Sequence, residues 1–267
     1  MIGNTISRKR SIALGMLSVL TILILYSYLS YRQHKIMPED KTIPTWTQLR
    51  EGVQKMTEVN RRSDERWLVV DAKATAARLF TGLLLGIVGA LVLGLLMGCF
   101  ASMEAFFYPP LALLAKIPPT AMLAVFFVFP GTGFKFYVAM ISFGILPTLA
   151  QTVFLAVKEV PVELRYKAYT LGASNLEVIW NVIFRHVLPK LIDAVRLQVG
   201  PAMVFLIAAE MVVGDEGFGY RIRIMFKKLD MNIVYPYLAL LAAFGFGMDF
   251  LLKGLRKTLC PWYAKEG

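Results

Sequence analysis

Residues that commonly build metal centres and catalytic sites are scarce in this 267-residue sequence. It contains two cysteines, Cys99 and Cys260, and two histidines, His34 and His186, and none of them has metal-ligand spacing. HExxH, GxSxG and GxxxxGK[ST] motifs are also lacking, which argues against a zinc peptidase, a serine hydrolase and a P-loop nucleotide site. We therefore expect no metal, no cofactor and no covalent catalysis in this chain.

Charged residues are also few, at 18% of the chain, whereas 57% of the residues are hydrophobic. Soluble domains are nearer to about 45–50% apolar, so the composition indicates a polytopic membrane protein. The net charge is +11, but no run of Lys or Arg exceeds three residues and no nucleic-acid motif is present. We expect the basic residues to border membrane spans, where they face anionic headgroups or an anionic solute.

Six apolar runs are long enough to cross a bilayer, which requires about 20 residues. The first follows Arg8-Lys9-Arg10 and lacks a small-residue cleavage site, so it is expected to be a retained anchor. The fold expected is an all-α polytopic membrane protein with six transmembrane helices. The predicted spans are Ile12–Tyr31, Ala76–Phe100, Phe107–Phe129, Phe136–Val157, Val187–Val213 (entered at Pro189) and Ile233–Leu252.

A polar segment, residues 32–75, separates the first two spans. Thr45-x-x-Gln48 is typical of a capping box, and Leu49, Val53 and Met56 then recur with helical spacing. We expect a short amphipathic helix on the membrane surface here. The predicted organisation is an N-terminal anchor with this extracytoplasmic segment (1–75), a membrane core (76–255) and a short cytoplasmic tail (256–267).

Charge placement favours both termini on the cytoplasmic side. Basic residues in short loops and at span ends set the orientation, and Arg8–Arg10 and Lys253–Lys257 flank the first and last spans. A count over all loops favours neither side, because residues 32–75 alone hold nine Lys and Arg. With six spans, this orientation places residues 158–190 in the cytoplasm.

Residues 159–196 lie between two apolar runs and carry too many charges to cross a bilayer. Within them, Leu171–Ser174 reads Leu-Gly-Ala-Ser and is followed by Leu188-Pro189. This pattern resembles the cytoplasmic coupling loop of ABC importer permeases, in which Glu-Ala-Ala, three residues and Gly precede Leu-Pro. Tyr166–Ala168 stands where the family has Glu-Ala-Ala, and Arg185 replaces the first proline of a doubled Leu-Pro pattern.

The resemblance implies the type I permease fold and a coupling role. In that family, two short helices of the loop dock into a cleft of a separate ATPase subunit, which binds ATP and magnesium, so this chain is not itself an enzyme. The implied partners are ATPase subunits, a second copy of this chain, an extracytoplasmic solute-binding protein and membrane lipid, with no nucleic acid. The ATPase-coupling candidates are Glu163, Tyr166, Ala168, Leu171, Gly172, Ala173, Ser174, Leu188 and Pro189.

Other motifs resemble one branch of the family, the permeases for nitrate, sulfonates, taurine and bicarbonate. Thr75–Gly82 resembles its Ser-Leu-x-Arg-Val-x-x-Gly, and Ala115–Ala121 resembles its Arg-x-Ile-Pro-Pro-x-Ala. Ala209–Met211 with Gly217–Tyr220 resembles its Ala-Glu-Met and Gly-Leu-Gly-Tyr. The branch implies a small anionic solute, although relatives with similar motifs carry aromatic or heterocyclic solutes.

Pro118-Pro119 removes two backbone donors and is expected to break the third span, as a gate hinge or as a structural kink. Lys116 and Arg196 either meet an anion or extend toward lipid headgroups. The full set of candidates for the translocation pathway or its gate is Lys116, Pro118, Pro119, Arg196, Glu210 and Met211.

Glu210 is expected inside the fifth span. An ionised side chain near the bilayer centre costs roughly 2.5–3.5 kcal/mol on insertion scales, so Glu210 should face the protein interior. It serves either the pathway or the backbone groups of the glycine-rich loop that follows. Arg78 and Asp249 are expected to extend to the outer and inner interfaces. Close helix packing is predicted for the second span from two glycine pairs at four-residue spacing, Gly82 with Gly86 and Gly94 with Gly98.

The short outer loops are expected to be net positive, which is unusual on that side of a membrane. Such an excess suggests attraction of an anion or docking of an acidic receptor. The basic residues concerned are Lys135, Arg221, Arg223, Lys227 and Lys228, against Asp215, Glu216 and Asp230.

Two other classes of function stay open at this point. An ion-coupled secondary transporter would use Glu210 as its relay, but a single buried carboxylate and no visible inverted repeat count against it. A membrane enzyme would need a polar catalytic constellation, and the sequence shows none.

Overall fold

The computed structural model describes residues 7–59, 65–129 and 131–263. Within these ranges the chain is built from helices, and a 3-10 turn (Pro119–Met122) and a π-helical segment (Val178–Phe184) interrupt the α-helical pattern. The α-helices are α1 (Arg8–Ile36), α2 (Trp46–Thr57), α3 (Trp67–Cys99), α4 (Ala101–Leu114), α5 (Leu123–Val128), α6 (Phe134–Lys158), α7 (Val162–Thr170), α8 (Asn175–Glu177), α9 (Arg185–Val213), α10 (Phe218–Lys227) and α11 (Met231–Leu259).

The described residues form two compact units. The first contains the residues up to Trp67 together with Ile224–Leu238, and the second contains Leu68–Arg223 together with the described residues from Ala239 onward. Among the described residues, five helical stretches are long and apolar enough to cross a membrane. A bent pair, α4 with Pro119–Val128, makes a sixth if it counts as one span. The five are α1, α3, α6, Asn175–Val213 and α11.

In the first unit, side-chain hydrogen bonds fix the start of α2. The Thr45 hydroxyl accepts from the Gln48 N–H at 3.3 Å, and the Gln48 side chain accepts from the Thr45 N–H at 2.8 Å. This reciprocal pair confirms the predicted capping box, because it satisfies two backbone donors that a helix start leaves open. Tyr26 of α1 donates to the Pro44 carbonyl at 2.6 Å, which ties α1 to the same loop.

The inward face of α2 differs from the predicted one. Gly52 and Met56 are buried, whereas Val53 is 47% exposed. Gly52 lies directly against the carbonyl of Asn232 at the start of α11, where a Cβ would overlap backbone atoms. The helix packs on protein through a glycine, and a pattern of large apolar residues does not indicate such a contact.

In the second unit, α3 and α6 pack closely through the glycines of α3. Four of these glycines form the two predicted pairs. A Cβ added at any of the four would lie 2.5–2.7 Å from a side chain of α6, so the predicted close packing is confirmed. Each partner lies 59 positions further along the chain, which means that α3 and α6 run parallel and in register. The pairs are Gly82 with Ile141, Gly86 with Ile145, Gly94 with Val153 and Gly98 with Val157.

The third predicted span is not one straight helix. The chain is helical from Ala101, not from Phe107, and α4 ends at Leu114. Pro119–Val128 then continues at 88° to α4. Pro118 is extended (ψ 122°) and Pro119 begins the 3-10 turn, so the helix is interrupted at this proline pair as predicted. Pro109 and Pro110, in contrast, lie within α4 without ending it.

The fifth span begins earlier than predicted. One continuous helical stretch runs from Asn175 to Val213, and Pro189 lies buried inside α9 instead of at the membrane entry. Its missing N–H removes one intrahelical hydrogen bond without ending the helix. No sequence pattern indicates the π-helical segment ahead of it; such segments are rare and are frequently found at functional sites.

Candidate functional site

A tight turn joins α7 to α8 inside the predicted coupling loop. Gly172 has a φ of 85°, a left-handed conformation that glycine adopts without steric penalty. The Ala173 N–H returns to the Ala168 carbonyl at 3.0 Å, and Ser174 with Glu177 forms a capping box for the next helix. Gly172 therefore lies at the break where one helix ends and the next begins.

Large apolar side chains around this turn are exposed. Leu171 is 88% exposed and Leu176 is 78% exposed, while Tyr166 and Trp180 are 66% and 63% exposed. The Trp180 ring stacks on the Phe184 ring with centroids 4.6 Å apart, which limits the positions that Trp180 can take. We call Tyr166, Leu171, Leu176 and Trp180 the turn surface. Exposed apolar groups clustered in a charged segment are typical of an interaction site.

The nine coupling candidates do not all lie at this surface. Leu188 is half-buried and Pro189 is buried, both within α9, so the Leu-Pro pair contributes to helix packing and not to the exposed turn. Ala168 and Ala173 are half-buried against the core. The exposed candidates are Glu163, Tyr166, Leu171, Gly172 and Ser174.

The two ends of the predicted loop are joined by an ion pair. Lys190 of α9 donates to Glu159, which follows α6. The hydrogen bond and charge of Lys190 hold the pKa of the Glu159 carboxyl below its ordinary value. The pair is partly exposed, so its contribution to stability is small, but it connects the entry and the exit of the segment 158–190.

Glu210 is fully buried in α9 and is surrounded by donors. Its carboxylate accepts hydrogen bonds from Thr75 Oγ1 at 3.0 Å, from Arg78 Nη1 at 2.9 Å and from the Gly219 N–H at 2.9 Å. The Gly219 N–H belongs to the first turn of α10, where N–H groups have no intrahelical partner and attract negative charge. The carboxylate thus caps α10 and pairs with a cation.

Arg78 is also buried, so the expectation that it extends to headgroups is wrong. Its side chain is 7% exposed, its Nη1 also donates to the Glu216 carbonyl at 2.8 Å, and its guanidinium lies 4.1 Å from the centre of the Tyr137 ring. Burial of an unpaired charge costs several kcal/mol, and the pairing with Glu210 offsets that cost. The two residues are 132 positions apart, so sequence spacing alone does not reveal the pair.

Two residues of α3 outside the predicted set complete this arrangement. Asp71 is fully buried and accepts from the Gly217 N–H at 3.0 Å and from Arg221 Nε at 2.8 Å. Thr75 Oγ1 accepts from the Phe218 N–H at 2.9 Å. The available signal was the spacing of polar residues at positions 71, 75 and 78, which share one helix face. We call Asp71, Thr75, Arg78, Glu210 and Gly217–Gly219 the polar cluster.

Arg223 of α10 binds the end of α9. Its Nη1 donates to the Met211 and Val212 carbonyls at 2.7 and 3.0 Å, and its Nη2 donates to the Gly214 carbonyl at 2.9 Å. Carbonyls at a helix C-terminus lack intrahelical donors and favour a cation. Arg221 and Arg223 are therefore bound within the protein and do not supply the free outer charges that were expected of them. Lys135, Lys227 and Lys228 are exposed.

The remaining pathway candidates lie elsewhere. Lys116 is exposed, next to Pro118 and Pro119 at the break between α4 and α5. Arg196 donates to Asp193 at 3.0 Å and to Asp249 at 2.8 Å, so Asp249 links α9 to α11 instead of extending to headgroups. In the described part of the chain, Lys116, Arg196 and Glu210 do not form one site.

Two cavities adjoin the polar cluster. An apolar cavity of about 130 Å³ is bordered by α3, α9 and α11 and includes Thr75 and Phe218 in its wall. A second, polar cavity of about 490 Å³ has Arg78, Tyr137 and Asp215 in its wall. The larger volume falls in the range of small-ligand pockets, roughly 300–1,000 Å³.

Known proteins are similar in sequence to this chain over most of its length. Residues 80–259 match the family described as binding-protein-dependent transport system inner membrane component. The taurine transport system permease protein TauC of Escherichia coli K12 is 26% identical over 192 residues, which cover 72% of this chain and 70% of TauC. The formylaminopyrimidine transport permease protein ThiX of Halalkalibacterium halodurans is 26% identical over 193 residues, which cover 72% of this chain and 77% of ThiX.

A solved structure shares the fold. A chain of the MetNI methionine ABC transporter in an inward-facing conformation superposes with a TM-score of 0.63 at 20% identity, over 72% of this chain and 96% of that chain. The fold is that of a type I ABC importer permease, a multi-pass protein of the cytoplasmic membrane in a family whose ATPase is a separate subunit. Because the family match covers more than half of the sequence, this chain belongs to the binding-protein-dependent transport system inner membrane components.

Proposed function

We propose that this chain is the membrane-spanning subunit of an ATP-driven importer for small solutes that carry an anionic group, such as taurine or another sulfonate. Two copies form the pathway, partner ATPase subunits bind ATP and magnesium, and an extracytoplasmic receptor delivers the solute. The observation that carries the docking role is the turn surface, whose four large apolar side chains are all more than 60% exposed, and the solute class is proposed from the similarity to TauC. Such a surface suits a protein partner.

The parallel packing of α3 and α6 supports six crossings. Because both helices run in the same direction and in register, residues 100–133 have to return across the membrane between them. The bent pair is the helical part of that connection. Six crossings put the turn surface on the same side as both termini, and the basic residues at Lys9-Arg10 and Lys253–Lys257 favour the cytoplasm for that side.

One helical stretch connects the turn surface to the polar cluster. Asn175–Val213 contains 39 residues, which corresponds to about 58 Å at 1.5 Å per residue. Its first turns carry Leu176 and Trp180, and its last turn carries Glu210. When the ATPase subunits move the turn surface, α9 transmits the displacement to Glu210 and, through the Gly219 N–H, to α10. This is the proposed route by which ATP drives alternating access.

A paired substitution tests the docking role. Leu171→Ser removes the most exposed side chain of the turn surface, and Leu229→Ser, at an exposed leucine beyond α10, is the matched control. We expect the first variant to lose co-purification with co-expressed ATPase subunits and the second to retain it, at equal membrane insertion. Equal ATPase recovery from both variants would refute the assignment of the turn surface.

A heterocyclic solute is the second candidate, because ThiX matches at the same identity as TauC. Uptake into proteoliposomes that contain the whole transporter separates the two solute classes. Labelled taurine and labelled formylaminopyrimidine are compared in the presence of the receptor and ATP. Taurine uptake supports the first candidate, and uptake of formylaminopyrimidine alone supports the second.

A further inference from the structure

We propose that the polar cavity beside Arg78 binds a small zwitterion. In this assignment, Arg78 receives a sulfonate or carboxylate group, and Asp215 and Glu216 receive a primary ammonium group on the same molecule. The inference rests on the proposed import function and narrows the solutes from those that carry an anionic group to those that carry an ammonium group as well.

Arg78 has donors that its protein partners do not use fully. Nη1 bonds Glu210 and the Glu216 carbonyl at 2.9 and 2.8 Å. Nη2 lies 3.8 Å from the Asp215 carboxylate and 3.5 Å from the Glu216 carboxylate, longer than the about 2.7–2.9 Å of charge-assisted hydrogen bonds. Both carboxylates line the cavity together with Arg78, so Nη2 lies on the cavity side. An oxyanion placed there would form short bonds with a guanidinium that is already desolvated.

The charges around the cavity disfavour a simple anion. Arg78 is already paired with Glu210, and the side chains of Asp215 and Glu216, 91% and 47% exposed, add two carboxylates. A simple anion bound at Arg78 would lie beside these carboxylates without a compensating cation, and like charges repel. A simple amine would leave Nη2 with only its long contacts to the Asp215 and Glu216 carboxylates. A ligand with both groups satisfies the two sides of the cavity at once.

The position of the guanidinium is fixed before any ligand arrives. The Tyr137 ring, 4.1 Å away, stacks against it, and Glu210 holds Nη1. A preorganised guanidinium loses little freedom on binding, and its planar fork suits an oxyanion better than a lysine would. Thr132 and Gly133 also line the cavity, and a Cβ added at Gly133 would have no atom within 4 Å. That side of the cavity therefore has room for a small ligand.

Three probes with the same two-carbon frame test the assignment. Taurine carries both charges, ethanesulfonate carries only the anion, and ethylamine carries only the cation. Binding to the full chain with its ATPase subunits in lipid nanodiscs is measured by saturation-transfer NMR titration. We expect taurine to bind at least about tenfold more tightly than either single-charge probe. Equal affinity of taurine and either single-charge probe, or no taurine binding, would overturn the proposal.

Substitution of the two carboxylates locates the ammonium site. In Asp215→Asn/Glu216→Gln, taurine affinity should fall to that of ethanesulfonate, because the sulfonate contact at Arg78 remains. The control, Glu39→Gln/Glu51→Gln, removes two exposed carboxylates of the first unit and should leave taurine affinity unchanged. A taurine affinity that is the same in both double variants would refute the site, and equal melting temperatures establish that both are folded.

Binding and transport are read separately. Taurine binding with this carboxylate dependence, but without ATP-driven uptake, would uphold the site and refute import as the function. Uptake of taurine and ethanesulfonate at equal efficiency, with no difference in binding, would uphold import and refute the zwitterion site.

Discussion

Substitution of Glu210 separates the hydrogen-bonding role of the polar cluster from its charge. The wild-type carboxylate bonds Thr75, Arg78 and Gly219. Glu210→Gln keeps one acceptor oxygen and presents an NH₂ group to the remaining donors. Glu210→Lys keeps no acceptor and places a second cation beside Arg78. We therefore expect Gln to be tolerated better than Lys.

The size of each loss follows from these bonds. Gln keeps a hydrogen bond to the charged guanidinium of Arg78 but removes the negative charge of the acceptor. Because hydrogen bonds contribute roughly 0.5–3 kcal/mol, with the charged ones at the upper end, we set this weakening at about 1 kcal/mol. One donor left without an acceptor adds about 1–3 kcal/mol, for a total of about 2–4 kcal/mol. Removing one partner of a buried ion pair costs about 3–5 kcal/mol, and Lys adds repulsion from Arg78 to that. We expect the Lys variant to be the least stable of the three proteins.

The assay is size-exclusion chromatography of the detergent-solubilised complex after heating, with the ATPase subunits followed in the same run. The expected order of melting temperature is wild type, then Glu210→Gln, then Glu210→Lys. In Arg78→Gln/Glu210→Gln the loss should be smaller than the sum of the two single losses, because both substitutions act on one pair. Equal melting of the Gln and Lys variants, or strictly additive losses in the double variant, would refute the reasoning. Gln abolishing uptake in a fully assembled complex would instead assign the charge to the pathway.

Three further outcomes are expected. Gly172→Asp should insert normally but lose ATPase co-purification and uptake, because the φ of 85° at Gly172 disfavours a side chain. The control is Gly254→Asp, where an added Cβ has no atom within 4 Å. Full ATPase co-purification and uptake in both variants would contradict this expectation. Gly94→Leu should abolish the folded peak in chromatography, since even a Cβ there would lie 2.5 Å from Val153, while Gly15→Leu, with nothing within 4 Å, should not. Lys227→Gln/Lys228→Gln should weaken receptor binding without lowering the melting temperature. Arg223→Gln should lower the melting temperature, because three hydrogen bonds to carbonyls are lost. If Arg223→Gln instead weakens receptor binding at an unchanged melting temperature, Arg223 serves the receptor.

Local backbone features can be predicted from this sequence, whereas contacts between residues far apart in the chain cannot. The Thr45 capping box, the glycine face of α3 and the helix break at Pro118-Pro119 each depend on a few consecutive residues whose backbone preferences are strong. The burial of Arg78 depends on Glu210, which is far away in the chain, so a single basic residue near a span end was read as exposed. The packing of Gly52 against Asn232 was missed for the same reason, because a glycine contact adds nothing to an apolar periodicity.

The candidate site shows the same difference between local features, which the sequence predicts, and long-range contacts, which it does not. Gly172 and Ser174 define a turn that residue type predicts, since a left-handed conformation favours glycine and an N-cap favours serine. Asp71 is outside the predicted set, because its partners, Gly217 ahead of α10 and Arg221 within α10, are far away in the chain. Arg221 and Arg223 were assigned to an outer charged surface because a formal charge count cannot distinguish a free guanidinium from one bound to carbonyls or to a carboxylate.

The second unit contains a closely packed helix pair and two irregular helical segments. Along α3, four glycines lie so close to α6 that even a methyl group would overlap it, and an interface of this kind leaves no room for one helix to slide past the other. The α4–α5 connection, by contrast, bends through 88° at a proline pair, and Val178–Phe184 replaces the α-helical hydrogen-bond pattern with a π-helical one at the start of the fifth span. If the proposed transport cycle moves these helices, we expect the rearrangement at these two irregular segments, with α3 and α6 moving as one body. A disulfide engineered between α3 and α6 should then leave ATP-driven uptake unchanged.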